Sequence, residues 1–254
     1  MWFEPSDHGR KKLVLLEAAT DFFFLQNRSY PRKASLEWVG NRYRLTRLHR
    51  ALLHRGVFSQ DRALKRRAKR RLGSDWMNEW LVVDGHNVQI TLESAIVDRP
   101  LLKGNDGALR DVAGQSARFR MSEVSKMAVD MLFLFLGEHR PRRVSFLFDA
   151  PMSHSGELAH EYGRRLRELR IAGEARAVPV PEREIPHREC TVASSDQAIL
   201  EESIGWIDLA SRVLSHAGRI RLAVDFSGII ATGSVNQVLT CEWDLDFLDG
   251  VQDH

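Results

Sequence analysis

The sequence predicts an α/β protein: a mostly parallel sheet with flanking helices, preceded by a small, all-helical, basic N-terminal region. Three observations lead to this expectation. Residues 1–78 hold 18 Lys+Arg against 7 Asp+Glu, whereas the rest of the 254-residue chain holds 19 against 27. Apolar residues before position 74 recur at helical spacing. Beyond it, short β-rich apolar runs alternate with amphipathic stretches, as strands covered by helices on both faces do. A basic module joined to an acidic one suggests a polyanion-binding region attached to a part that uses carboxylates.

The elements follow in order. Leu13, Leu16, Ala19 and Phe23 mark a first helix from Arg10 to about Asn27, and Tyr43, Leu45, Leu48 and Leu52 mark a second. Pro31 and Gly40 punctuate the connection, and Gly56 ends the second helix through its access to the left-handed conformation. A third segment, Asp61 to Leu72, places Leu64, Ala68 and Leu72 on one stripe ringed by cations. Gly73 and Ser74 read as a linker, which divides the chain into a basic helical region (1–74) and an α/β domain (75–254). Strands are expected at Leu81–Asp84, Val144–Asp149, Ala175–Val180, Cys190–Ala193 and Arg221–Asp225. Between and after them, helices carry Val124 to Phe135, Leu158 to Leu169, a stretch from Ser194, and Trp206 to Leu214 before Gly218.

Composition narrows the classes. The longest apolar runs are far too short to span a bilayer and the N-terminus lacks the apolar core of a signal peptide, so a cytoplasmic protein is expected. Two cysteines, Cys190 and Cys241, allow neither a disulfide framework nor a four-cysteine zinc site. A zinc or thiol-imidazole site from His86, His187 and Cys190 is disfavoured by their scatter. Phosphate-binding-loop and dinucleotide-binding glycine motifs do not occur.

The chemistry is expected at strand ends. Asp84 follows Val82-Val83, Asp149 follows Phe146-Leu147-Phe148, and Asp196 follows Ala193-Ser194-Ser195. In a parallel sheet the C-terminal strand ends share one edge, so these acids can converge although distant in sequence. Crowded carboxylates repel unless a cation holds them, and all-oxygen ligands suit Mg²⁺ or Mn²⁺. Each acid also has a structural reading: Asp196 as a helix-start acid, and Asp84 and Asp149 as turn residues.

The run Val83-Asp84-Gly85-His86-Asn87-Val88 resembles the opening strand of NYN-type members of the PIN-like nuclease superfamily. Phe148-Asp149-Ala150 and Ala193-Ser194-Ser195-Asp196 resemble that superfamily's second acidic strand and terminal Thr/Ser-x-Asp motif. With Val39-Gly40-Asn41-Arg42-Tyr43 and Phe148-Asp149-Ala150-Pro151-Met152-Ser153, the chain is also similar to the family called domain of unknown function 434. The nuclease resemblance, from about residue 80 onward, implies a Mg²⁺- or Mn²⁺-dependent ribonuclease with Asp84, Asp149 and Asp196 as catalytic metal ligands, Asn87 and Ser194 as supporting polar groups, and a possible homodimer. A further acid that NYN-type nucleases place in a Thr-Ala-Asp-like segment is replaced by Pro179-Val180-Pro181-Glu182-Arg183-Glu184. Glu182, Glu184 or Asp225 are candidates for the missing ligand, Asp225 reading equally as a turn acid.

Other residues carry weaker signals. Arg110, in the glycine-punctuated segment Gly104 to Ser116, is a candidate phosphate contact. Ser155 reads as an ordinary N-cap at a helix start that also suits an anion. Lys65, Arg66, Arg67, Lys69, Arg70 and Arg71 are too one-signed for internal ion pairing and are expected to contact nucleic acid, with RNA implied by the family resemblance and docking onto the acidic C-terminal part or a partner as the alternative. Trp76 and Trp80 read as core or interface residues. The sequence therefore points to a metal-dependent ribonuclease. The alternatives are a noncatalytic RNA-binding or assembly protein with a degenerate PIN-like domain, and a metal phosphoesterase acting on a small phosphorylated substrate.

Overall fold

A computed structural model describes residues 7–112 and 122–230, with the backbone alone for residues 7–12. Cys241 and the segment from Gly114 to Ser116 lie outside the described residues. Among them no helix is long and apolar enough to cross a membrane.

The N-terminal helices are α1 (Asp7–Asn27), α2 (Arg32–Arg42), α3 (Arg47–Gly56) and α4 (Gln60–Ala68). They share one core with the segments Pro100–Val112 and 221–230, which carry the three-stranded sheet β3 (Leu109–Asp111), β2 (Leu101–Lys103) and β8 (Val224–Asp225). Leu15, Phe22, Leu52 and Leu53 from the helices and Leu102, Val224 and Phe226 from the later segments are all buried in it. The compact units differ from the expected division at residue 74, because two segments beyond it, Pro100–Val112 and 221–230, group with the helices.

Several local readings change for physical reasons. Pro31 precedes α2, where its fixed φ suits a helix start, and Gly40 lies inside that helix. Gly56 is needed for close packing rather than for a left-handed turn: a Cβ there would come 2.4 Å from the Phe226 ring, and Val57 after it has φ −114. The stripe in the third basic segment is inverted. Leu64 and Leu72 are 43% and 74% exposed, while Ala63 and Arg66 form the buried face of α4. Periodicity misreads this face because a paired arginine takes a core position.

Among the described residues the second unit contains Ala68–Arg99 and 122–220. Five parallel strands form its sheet in the order β5 (Gly173–Val178), β4 (Arg143–Asp149), β1 (Trp80–Asp84), β6 (Thr191–Ala193), β7 (Trp206–Ile207). The first four coincide with expected strands; β7 occupies what the pattern assigned to the start of a helix, and α10 begins only at Leu209. The helix predicted through Leu72 stops at Ala68, and the next residues run extended beside β7: Trp206 N–H donates to the Lys69 carbonyl (3.1 Å), Arg71 N–H to the Trp206 carbonyl (2.8 Å). Sheet pairing takes these residues from the helix and covers an edge strand.

Side-chain alternation divides the sheet into two faces. Phe146 and Phe148 meet Tyr162 of α7 (Ser155–Glu168), with Phe133 of α6 (Glu123–Glu138) alongside. Tyr162 also donates to Gln89 Oε1 (2.6 Å) of α5 (Gly85–Ile96), and Gln89 donates to the Ser125 carbonyl, which ties α5, α6 and α7 together. On the other face Val82, Leu147 and Val192 pack with Ile185 and Ile199, around α8 (Pro181–Glu184) and α9 (Gln197–Glu202).

Candidate active site at the carboxyl edge of the sheet

The chain runs from β1 outward to β4 and β5, then resumes on the opposite side of β1 with β6 and β7. The crevice between the carboxyl ends of β1 and β6 is therefore a topological switch point, where open α/β sheets bind ligands. Asp84 ends β1 there. Its Oδ1 accepts from the Asn87 amide (3.3 Å), capping α5, and its Oδ2 accepts from Ser194 Oγ (2.9 Å) beyond β6. Ser194 Oγ also accepts from the Asp196 amide (3.0 Å), while Asn87 Oδ1 accepts from both the amide and the hydroxyl of Ser195 (2.9 and 3.0 Å).

Asp149 comes to the same edge by register. Asp84 lies opposite Leu147, and Asp149 two residues on points to the same face, that of Val82, Leu147 and Val192. The α5 start is clamped to this strand by two features. A Cβ on Gly85 would come 2.4 Å from the Phe148 ring, and His86 Nδ1 accepts from the Asp149 amide (2.9 Å). His86 is buried, and burial lowers its pKa to about 4, so the imidazole is neutral and carries its proton on Nε2. Gly85→Ala is expected to destabilise the protein by about 1–3 kcal/mol, as overpacking against a ring does. A urea-unfolding midpoint indistinguishable from wild type would contradict it.

The electrostatics match a crowded carboxylate site. Burial raises the Asp84 pKa to about 7, reinforced by the charges of Asp196 and Asp149 and opposed by the bonds from Ser194 and Asn87. Burial and the nearby Glu182 raise that of Asp149. Of the proline-flanked segment, the exposed Glu182 is close enough for its charge to act on Asp149. Asp225 ends β8 in the other sheet, where it lies 3.5 Å from Lys103 and caps its own turn at Ser227. Asp196 is placed beside the site but also caps α9, its Oδ1 accepting from Ala198 and Ile199.

A divalent ion is compatible with this donor set. Among the described residues no three His, Cys, Asp or Glu side chains stand at metal-ligand spacing. Mg²⁺, however, is commonly held by one or two carboxylates with water completing its shell, and Asp84 and Asp149 supply such oxygens at the same edge. His187 and Cys190 do not form a site: the Cys190 thiol donates to the Pro186 carbonyl (3.3 Å) and burial pushes its pKa up to about 12.

The predicted polyanion contacts fare differently. Arg110 and Arg66, 2% and 1% exposed, both pair with Asp106, which removes them from phosphate binding. Arg67 donates to the carbonyls of Asn105 and Ser227, and Lys69 to that of Glu201. Arg70 and Arg71 face Asp208 and Glu79, both at 3.7 Å. Lys65, paired with Asp61, and Arg71 are the exposed members of this run. Internal acids and carbonyls are the counter-groups that the linear charge pattern concealed. Ser155 donates to the Asp149 and Met152 carbonyls instead of capping α7, and Trp76 is core.

Fold and site define an α/β protein with a carboxylate-bearing switch-point crevice. The chain belongs to the family described as Domain of unknown function (DUF5616), whose model matches residues 74–212. Residues 14–69 match Protein of unknown function (DUF434), so the resemblance to that family holds over the helical region, and Phe148 to Ser153 fall under the other model. An uncharacterized protein of Methanocaldococcus jannaschii is 28% identical over 202 residues, covering 79% of this chain and 96% of the relative. No solved structure matches the chain significantly.

Proposed function

We propose that the protein is a Mg²⁺- or Mn²⁺-dependent nuclease of the PIN-like type that hydrolyses phosphodiester bonds in RNA. The observation that carries this reading is the placement of buried Asp84 at the switch point, bonded to Ser194 across the crevice, with Asp149 on the same face of the neighbouring strand. Asp84 and Asp149 would hold the ion, Ser194 and Asn87 would orient Asp84 and the β6 turn, and Asp196 and Glu182 would add negative charge around it. When bound, such an ion lowers the pKa of a water and stabilises the charge that builds on a phosphodiester. RNA as the substrate rests on the resemblance of the Asp-Gly-His-Asn segment. The exposed Lys65, rather than Arg66 or Arg110, would belong to the RNA-contacting surface.

The noncatalytic RNA-binding alternative is favoured by one feature, the use of both Asp84 and Asp196 as helix caps, which occupies carboxylate oxygens that an ion would otherwise take. Calorimetric Mn²⁺ titration of wild type, Asp84→Asn and Asp149→Asn, with each sample then incubated with mixed single-stranded and structured RNA, separates the two. The nuclease reading expects metal uptake by wild type and a fall in cleavage of at least about 10²-fold in either variant, the scale of removing a charge-stabilising group, with RNA affinity retained. Wild type that takes up no metal and cleaves nothing moves the assignment to RNA binding alone.

A further inference from the structure

The amino-terminal edge of the five-stranded sheet, at the far end of β1 from Asp84, opens onto a cavity of about 480 Å³. That volume is in the range of small-molecule sites. Trp80 at the start of β1 and Cys190 just before β6 give it apolar surface. Around them stand four guanidinium groups, Arg71, Arg142, Arg143 and Arg188, against the carboxylates of Glu79 and Glu189.

The partners of these groups decide what the cavity can take. Glu79 is occupied, accepting from Thr191 Oγ1 and facing Arg71 at 3.7 Å. The Arg143 guanidinium lies over the Trp80 ring at 4.5 Å from its centroid, and Trp80 is itself fixed by a bond from its Nε1 to Ser145 Oγ (3.1 Å). Arg142 and Arg188 are exposed and have no carboxylate partner among the described residues. Two arginines left for an external anion suit a phosphate, whose oxygens accept paired guanidinium hydrogen bonds. A flat cation–indole stack beside them suits a planar group on the same ligand. Cys190, with its thiol bonded to a carbonyl, serves as wall and not as nucleophile.

We propose that this cavity binds a phosphate monoester of nucleotide size, its phosphate between Arg142 and Arg188 and its base against the Arg143–Trp80 stack. The site is distinct from the Asp84 crevice, from which it is separated by the length of β1, about 13 Å of extended chain. The proposal does not depend on the nuclease reading. Two sources share the chemistry, a free nucleotide and the phosphorylated end of a nucleic-acid chain.

The test is calorimetry on the full chain in EDTA with AMP, adenosine and a tetradeoxynucleotide with and without a 5′-phosphate. AMP is expected to bind wild type at least about tenfold more tightly than adenosine, since a charge-assisted contact is worth at least that factor. Arg142→Gln/Arg188→Gln should weaken AMP at least about tenfold while Asp84→Asn leaves it unchanged. Both substituted arginines are exposed, so the double variant should unfold at the wild-type temperature. AMP binding without oligonucleotide binding assigns a free nucleotide; preference for the phosphorylated oligonucleotide over its unphosphorylated form assigns a chain end. No binding of either phosphorylated probe to wild type, equal affinity for AMP and adenosine, or unaltered AMP affinity in a folded double variant would overturn the proposal.

Discussion

Asp106→Asn is expected to destabilise the protein by about 3–5 kcal/mol, the range for breaking a buried ion pair by removing one partner. Asp106 is fully buried between two arginines that are almost as inaccessible. Arg66 donates to its Oδ2 (2.8 Å); Arg110 donates to both oxygens (2.8 and 2.7 Å) in a bidentate pair. Both guanidinium groups also lie over the Phe58 ring, at 4.3 and 5.1 Å. Asparagine keeps the size of the side chain but removes the charge, and turns one acceptor into a donor aimed at donors. Arg32 registers the same balance. Burial and the neighbouring Arg62, Arg66 and Arg110 lower its pKa to about 9, with Asp106 the opposing influence.

Burial alone would raise the Asp106 pKa, but the pairs with Arg110 and Arg66 outweigh it and hold the carboxyl below its ordinary range. A depressed folded-state pKa stabilises above the unfolded pKa of about 3.9, and that stabilisation disappears as pH falls through the lower folded value. Urea unfolding of wild type and Asp106→Asn at pH 7 and pH 3 reads both effects. A loss below about 1 kcal/mol at pH 7 would contradict the assignment. Replacing all three residues together by apolar ones of similar volume should cost less than the single change, because no buried charge is left behind.

Asp84→Asn is expected to act in the opposite direction, stabilising the fold at pH 8 in the absence of divalent ions. Asp84 is raised from 3.8 to about 7, so between those values the folded state holds a proton that the unfolded state has released. Stability therefore falls as pH rises through that window and stays low above it. Three units correspond to roughly 4 kcal/mol, a ceiling that the altered bond to Ser194 will reduce. Asparagine caps a helix as well as aspartate, so the cap on α5 survives. Melting curves from pH 4 to pH 8 should converge at the acid end and separate at the basic end. Added Mn²⁺ should stabilise wild type and not the variant. Wild-type stability that is flat from pH 5 to pH 8 would show that Asp84 is already ionised without cost.

The alternation of apolar strands with amphipathic helices, and an aspartate behind each of three strands, were readable because they follow local rules: period two, period 3.6 and the shared edge of a parallel sheet. Four of the five expected strands join the main sheet, and Asp84, Asp149 and Asp196 all come to its carboxyl end. Tertiary structure decided where local pattern and partner disagree. β2 and β3 are three residues long, too short for a periodic signal, and long-range pairing takes the fifth expected strand, β8 with Asp225, into a different sheet. Arg66 and Arg110 read as surface cations until Asp106 is seen between them, and Gly56 and Gly85 read as conformational punctuation until Phe226 and Phe148 are seen against them. By itself the sequence determined the fold class and the acids of the crevice, since backbone geometry dictates both. Which cations were free, which glycines were contacts and what stood at the opposite edge of the sheet depended on residues far away in the chain, because charge pairing and packing are set by proximity in space.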